Sequence, residues 1–173
     1  MLGPVGMTGT QETVRRRPGH TVTVVIIQFM ESEPWYRDGL RFKCTRSGNC
    51  CSGAPGVVRV TDDDIMRLAR CLQLSTAEFR EIYTREIGED ERSLKEKSNH
   101  DCIFFQLKAG CTVYQHRPRQ CRTWPFWRHV VSSREQWAEE ARHCPGMNQG
   151  PRYSAEEIEH IIEDDGTFGG TGK

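Results

Sequence analysis

Long apolar runs are missing from this chain. The best candidate, Val22 to Phe29, offers about eight residues, at the lower edge of a signal-peptide core and far below the roughly 20 needed to cross a bilayer. It lacks a small-residue cleavage site. The preceding Arg15-Arg16-Arg17 invites a twin-arginine export reading, which the Pro18-Gly19 pair and the short run argue against. A cytoplasmic protein with no membrane partner is the expectation.

An excess of charge is missing too. The 24 basic and 24 acidic side chains cancel, so no overall field would hold the protein to nucleic acid or an anionic surface. No nucleic-acid partner is expected. Nor does the chain carry a nucleophile–histidine arrangement, a paired general acid and base, or a glycine-rich loop after a strand, which points away from an enzyme. The Gly169-Gly170-Thr171-Gly172-Lys173 end mimics a phosphate loop, but its first glycine is misplaced and no Ser/Thr or helix follows the lysine.

What the chain has is cysteine. Seven of its eight cysteines fall in three short stretches: Cys44, Cys50 and Cys51; Cys102, Cys111 and Cys121; and Cys144. Soft metals need thiolates converging from several directions, held on turns and strand ends. Disulfide frameworks belong to short secreted chains with denser cysteine, and the neighbours Cys50 and Cys51 rarely reach disulfide geometry without strain. A site of zinc, iron or an iron-sulfur cluster on these seven cysteines is the expectation, with disulfides or independent buried thiols as the alternatives. Seven exceed the four of one tetrahedral ion or an ordinary cubane cluster. Either one site of four has spare thiols beside it, or two metals share ligands.

Basic side chains crowd the same segments: Lys43, Arg46, Lys108, His116, Arg117, Arg119, Arg122 and His143. They would lower thiol pKa values and offset thiolate charge. His100 and His143 flank cysteines but read as donors or surface residues. Trp124, Phe126, Trp127 and Trp137 read as an apolar wall around the site, and Cys71, at the margin of a helix stripe, as a small buried hydrophobe.

The length, 36% hydrophobic and 28% charged content suit one small domain. Residues 33–163 are expected to form an α+β cysteine-cluster domain, with short helices around a β-hairpin and metal-binding loops. Residues 1–32 read as an extension, disordered or not native, with Met30 a candidate start, and 164–173 as a frayed tail. The run Thr21 to Ile27 has no evident partner strand. Val57 to Val60 reads as a strand, and Thr61 caps a helix striped by Ile65, Leu68, Ala69 and Leu72. Ser75 and Glu78 form a capping box before Phe79, Ile82 and Tyr83. Residues 89–101 read as a charged surface excursion, and 103–107 with 111–114 as a hairpin. Arg117-Pro118 and Trp124-Pro125 exclude long regular structure, leaving Cys121 on a loop. Ser133 and Ser154 start two further helices.

These motifs, Phe42-Lys43-Cys44 through Cys50-Cys51, Asp101-Cys102, Cys111-Thr112-Val113-Tyr114, Arg117-Pro118, Cys121-Arg122-Thr123-Trp124-Pro125-Phe126 and Cys144-Pro145-Gly146, resemble the YkgJ-type cysteine-cluster family over about residues 42–162. The resemblance implies zinc or iron chelation through Cys44, Cys50, Cys51, Cys102, Cys111, Cys121 and Cys144. Many members have an additional cysteine ahead of the paired ones, whereas five residues separate Cys44 from Cys50 here. Larger proteins with a similar domain methylate flagellin lysines, so a cluster-dependent methylase-like or redox enzyme is one alternative function. A structural, zinc-stapled interaction domain is another.

Overall fold

The computed structural model describes residues 33–167, together with the backbone of 10–12 and 24–26. Two compact units divide the chain at Glu33 and Pro34. In the first, β1 (Thr10–Glu12) pairs antiparallel with β2 (Val24–Ile26). The β-branched run therefore has a partner, in a segment whose Gly, Pro and Thr content had hidden it. The arginine triplet, Met30 and residues 168–173, including the phosphate-loop mimic, lie outside the described residues.

The second unit is α+β, with short helices and two-stranded antiparallel pairs. β3 (Leu40–Phe42) is paired with β8 (Met147–Tyr153). α1 (Asp62–Cys71) and α2 (Thr76–Tyr83) each begin with a complete capping box, Thr61 with Asp64 and Ser75 with Glu78. Reciprocal side-chain bonds there satisfy backbone donors that a helix start otherwise leaves free. α1 buries Ile65, Leu68 and Ala69. Cys71, expected to be buried, is exposed: it is the last residue of α1, beyond that helix's last buried residue, Ala69. In α2 Phe79 is buried, while Ile82 faces solvent.

The expected surface excursion is instead structured. β4 (Thr84–Gly88) and β5 (Glu91–Leu94) form a hairpin whose turn residue Asp90 has φ 58. Thr84, Ser93 and Leu94 are buried. Residues 57–60 run along β5, with Val60 N–H bonded to Arg92 and Leu94 N–H to Val58, but only Arg59 and Ser93 form a β-bridge. The hairpin anticipated at 103–114 is shorter: β6 (Phe105–Gln106) pairs with β7 (Gly110–Cys111). Between the two prolines the chain makes a one-turn helix, α3 (Arg119–Thr123), so Cys121 is helical and not on a loop. α4 (Arg134–His143) and α5 (Ala155–Glu163) follow their capping serines. Beyond α5, Asp165 is buried: its carbonyl accepts from the Thr123 hydroxyl, and its carboxylate accepts from Arg128 N–H at 3.0 Å. The tail is thus packed through Thr167, anchored on α3.

Two apolar cores result. One gathers Phe42, Phe126, Val130, Trp137, Met147 and Ile158, and the other Ile65, Leu68, Phe79, Leu94, Phe104 and Val113. Cys44 and Cys144 pack against the first, Cys102 and Cys111 against the second.

Candidate metal centre

The cysteines are delivered by several different local devices. Cys44 leaves the end of β3. Cys50 and Cys51 sit in a single 3-10 turn, Asn49–Cys51, preceded by Gly48 at φ 85. A Cβ on Gly48 would stand 2.3 Å from the Phe105 ring, so the turn needs glycine for space as well as for its backbone angle. Cys102 lies next to the Phe104–Phe105 core edge, and its N–H donates to the Cys51 carbonyl at 2.8 Å. Cys111 ends β7. Cys121 is held by its neighbour Gln120, a buried side chain whose amide bonds Arg59 N–H at 2.7 Å and the Val57 carbonyl at 3.0 Å. Asp64 supports the same helix by accepting from Arg119 N–H at 3.1 Å. Cys144 closes α4.

All seven of these cysteines line one cavity of about 300 Å³. Cys71 does not. A second cavity of about 140 Å³ lies alongside, lined by Cys50, Cys51, Cys102 and Cys121. All eight cysteines carry free thiols.

The thiols feel one another. Cys50 Sγ and Cys51 Sγ are 3.7 Å apart and share a hydrogen bond. That bond, with help from Arg117, brings Cys50 down to about 7 and pushes Cys51 well up. Burial pushes Cys102, Cys111 and Cys121 up, and neighbouring thiolates add to it: Cys111 and Cys50 on Cys102, Cys50 and Cys44 on Cys111, and Cys102, Cys50 and Cys111 on Cys121. Cys50 is common to all of these sets.

The surround is partly as expected. Trp124 and Trp127 line the cavity, with the Trp124 indole N–H donating to Cys144 Sγ at 3.4 Å, whereas Phe126 and Trp137 stack in the first core instead. Of the basic residues, Arg46, Arg117 and His143 reach the cavity, and His100 lines the smaller one. Arg119 and Arg122 turn to the carboxylates of Asp164 and Asp64. One feature went unread in the sequence: Tyr114 is sandwiched between the guanidinium groups of Arg46, at 4.1 Å, and Arg117, at 3.9 Å. Its hydroxyl bonds Cys44, which, with burial, pushes the phenol up. The signal available was an Arg-Pro dipeptide three residues after a tyrosine, too common to single out.

The donor set suits a soft ion. Across a tetrahedral zinc–thiolate site, ligand sulfurs stand about 3.8 Å apart, close to the 3.7 Å of Cys50 and Cys51. Among the described residues no group of three or more His, Cys, Asp or Glu is already arranged around one point. Binding would therefore draw the thiols inward across the cavity.

Residues 43–145 match the CxxCxxCC family, described as "Putative zinc- or iron-chelating domain". This match spans more than half of the chain. The chain belongs to the CxxCxxCC family. No solved structure matches it. The pattern in that name lies over Cys44-Thr45-Arg46-Ser47-Gly48-Asn49-Cys50-Cys51, with Ser47 where the name has its second cysteine. Ser47 lines the cavity, so this CxxCxxCC chain departs from the pattern by one thiol at the site itself. Among the described residues no helix is long and apolar enough to cross a membrane.

Proposed function

We propose that this protein binds zinc or iron through Cys44, Cys50, Cys51, Cys102, Cys111, Cys121 and Cys144, and that the metal staples its fold. The observation that carries this reading is the convergence of all seven on one cavity, with Cys71 left outside. The position of that cavity supports the staple: Cys44 and Cys144 belong to the margin of one apolar core, Cys102 and Cys111 to the other. Ligation across it joins two separate apolar cores, so binding free energy becomes folding free energy. Resident metal would supply cross-linking and charge; Arg46 and Arg117 would offset the thiolates. Residues 33–163 are the chelating unit, and eight free thiols suit a reducing, cytoplasmic setting.

A second reading is supported by the exposure of Cys50. A ligand reachable from solvent allows exchange, as storage, sensing or delivery of the ion would need. The 3.7 Å pair favours a single-ion edge over an iron-sulfur cubane, in which each iron takes one cysteine.

The test is metal and acid-labile sulfide content, with an absorption spectrum, on full-length protein purified without oxygen. Stoichiometric zinc or sulfide-free iron is expected. Iron with sulfide would replace the mononuclear chemistry by a cluster, and metal-free protein that takes up neither ion would overturn the reading.

A further inference from the structure

We infer that the seven thiols hold two divalent ions that share Cys50, one ion also on Cys51, Cys102 and Cys121, the other also on Cys44, Cys111 and Cys144. This rests on the metal-binding reading above and adds number and partition.

The count comes first. Two tetrahedral ions need eight thiolate positions, and seven side chains fill them when one thiolate bridges. The family pattern read onto this chain places Ser47 where an eighth thiol would stand. Sharing is what that substitution leaves.

The partition follows from the cavities. Cys50, Cys51, Cys102 and Cys121 line both, so they form the wall between them. Cys44, Cys111 and Cys144 line the larger cavity alone. Cys50 lines both cavities and stands 3.7 Å from Cys51, so it borders both groups. The Cys102 N–H to Cys51 carbonyl bond fixes two of the wall cysteines against each other. The outer group has a donor of its own: the Trp124 indole N–H bonds Cys144 Sγ at 3.4 Å. The volume agrees, since about 300 Å³ is on the order of ten water volumes and far exceeds one ion.

Charge agrees as well. Two divalent ions with seven thiolates carry about −3, and loading releases up to seven thiol protons, fewer by the share already ionised. Arg46 and Arg117 line the cavity, and neither enters the ion pairs found among the described residues. They remain available to the centre.

The experiment titrates the reduced, metal-free full chain with cobalt(II) alone, without oxygen, then with zinc, and counts ions by native mass spectrometry. Two ions are expected, with sulfur-to-cobalt absorption growing through two equivalents. The cobalt paramagnetic resonance signal should rise over the first equivalent and fall over the second, as the bridge couples the spins. Cys44→Ser and Cys144→Ser should each keep one ion, and Cys71→Ser two. Ser47→Cys should keep two while the fall over the second equivalent disappears. Because variants can misfold, the wild-type titration stands alone as a test. Saturation at one ion overturns the two-ion centre and leaves metal binding intact, strictly additive resonance overturns the bridge, and failure to bind cobalt, zinc or, in a parallel titration, iron(II) overturns both readings.

Discussion

The backbone N–H of Cys102 donates to the carbonyl of Cys51 at 2.8 Å. Two of the three cysteine stretches are therefore joined by the main chain itself, before any metal acts. The side chain of Gln120, next to Cys121, ties α3 to the backbone on either side of Val58. The thiols are gathered by the fold and left short of ligand geometry, so metal completes an arrangement the chain has half made.

Removal of metal should therefore weaken the protein without erasing its secondary structure. A ligand present at a thousandfold over its Kd stabilises by about 4 kcal/mol, and a chelator removes that contribution. Calorimetry of the full chain with and without a strong chelator should show a melting temperature lower by about 10 °C or more, with helix content retained at room temperature. An unchanged melting temperature after verified metal loss would exclude the staple.

The metal-free protein should lose stability at alkaline pH. Cys51, Cys102, Cys111 and Cys121 are raised above the ordinary thiol value of 9.0. The folded state then keeps protons that the unfolded chain releases, so stability is complete below that value and is lost as pH climbs through the raised folded values. Cys50 runs the other way: lowered to about 7, its contribution is present above 9.0 and lost as pH falls through 7. Four groups against one set the sign. The melting temperature of the metal-free chain should fall as pH rises above the ordinary thiol value of 9.0, and the loaded chain, its thiolates already deprotonated, should be much flatter. Parallel curves would show that the thiols are not the groups responsible.

Much of this was readable from residue types. Thr61, Ser75 and Ser154 announce their helices because a capping box is a local pattern, complete within four residues. The seven cysteines announce a site because few other roles bring so many thiols into so few loops. The β4–β5 hairpin was hidden because its buried residues include Thr84 and Ser93, so no apolar alternation marks it. The β3–β8 pair was hidden for another reason: it joins Leu40 to Tyr153, and nothing in a polar strand such as Met147–Tyr153 names so distant a partner. Cys121 was placed on a loop because two prolines flank it, yet a proline at the helix start costs no hydrogen bond, and one turn fits between them. Trp124 and Phe126 lie two residues apart and both pack with the first core, but only Trp124 lines the cavity, which only the tertiary arrangement decides.

Asp64 should matter more than its surface-like sequence suggests. The residue is 2% exposed, and its side chain accepts from Thr61 N–H at 3.3 Å, from Arg119 N–H at 3.1 Å and from the Arg67 guanidinium. Asp64→Ala strands Arg67 and two backbone donors together. A loss of about 3 kcal/mol is expected in urea denaturation, along with faster metal release, because α3 carries Cys121. Asp64→Asn should keep part of the cap and lose less. Equal, small losses for both would mean that the buried carboxylate is not the link between α1 and α3.

Gly48 offers the sharpest separation of geometry from chemistry. It bears no donor, yet it sets the turn that presents Cys50 and Cys51. At φ 85, an L side chain is strained, and its Cβ would fall 2.3 Å from the Phe105 ring, which is itself buried. Gly48→Ala should cost about 2 kcal/mol or more, and the turn should shift away from the ring, carrying both thiols with it. Metal affinity should then drop at least tenfold although every thiol remains. Gly53→Ala is the control: that glycine also has positive φ, at 110, but no atom lies within 4 Å of its added Cβ. It should show the backbone penalty alone, with metal affinity near wild type. If the two variants lose metal equally, strain anywhere in this stretch suffices and the Phe105 contact does not position the pair; if only Gly48→Ala does, the packing of one aromatic ring against a bare backbone is what aims Cys50 and Cys51 into the cavity.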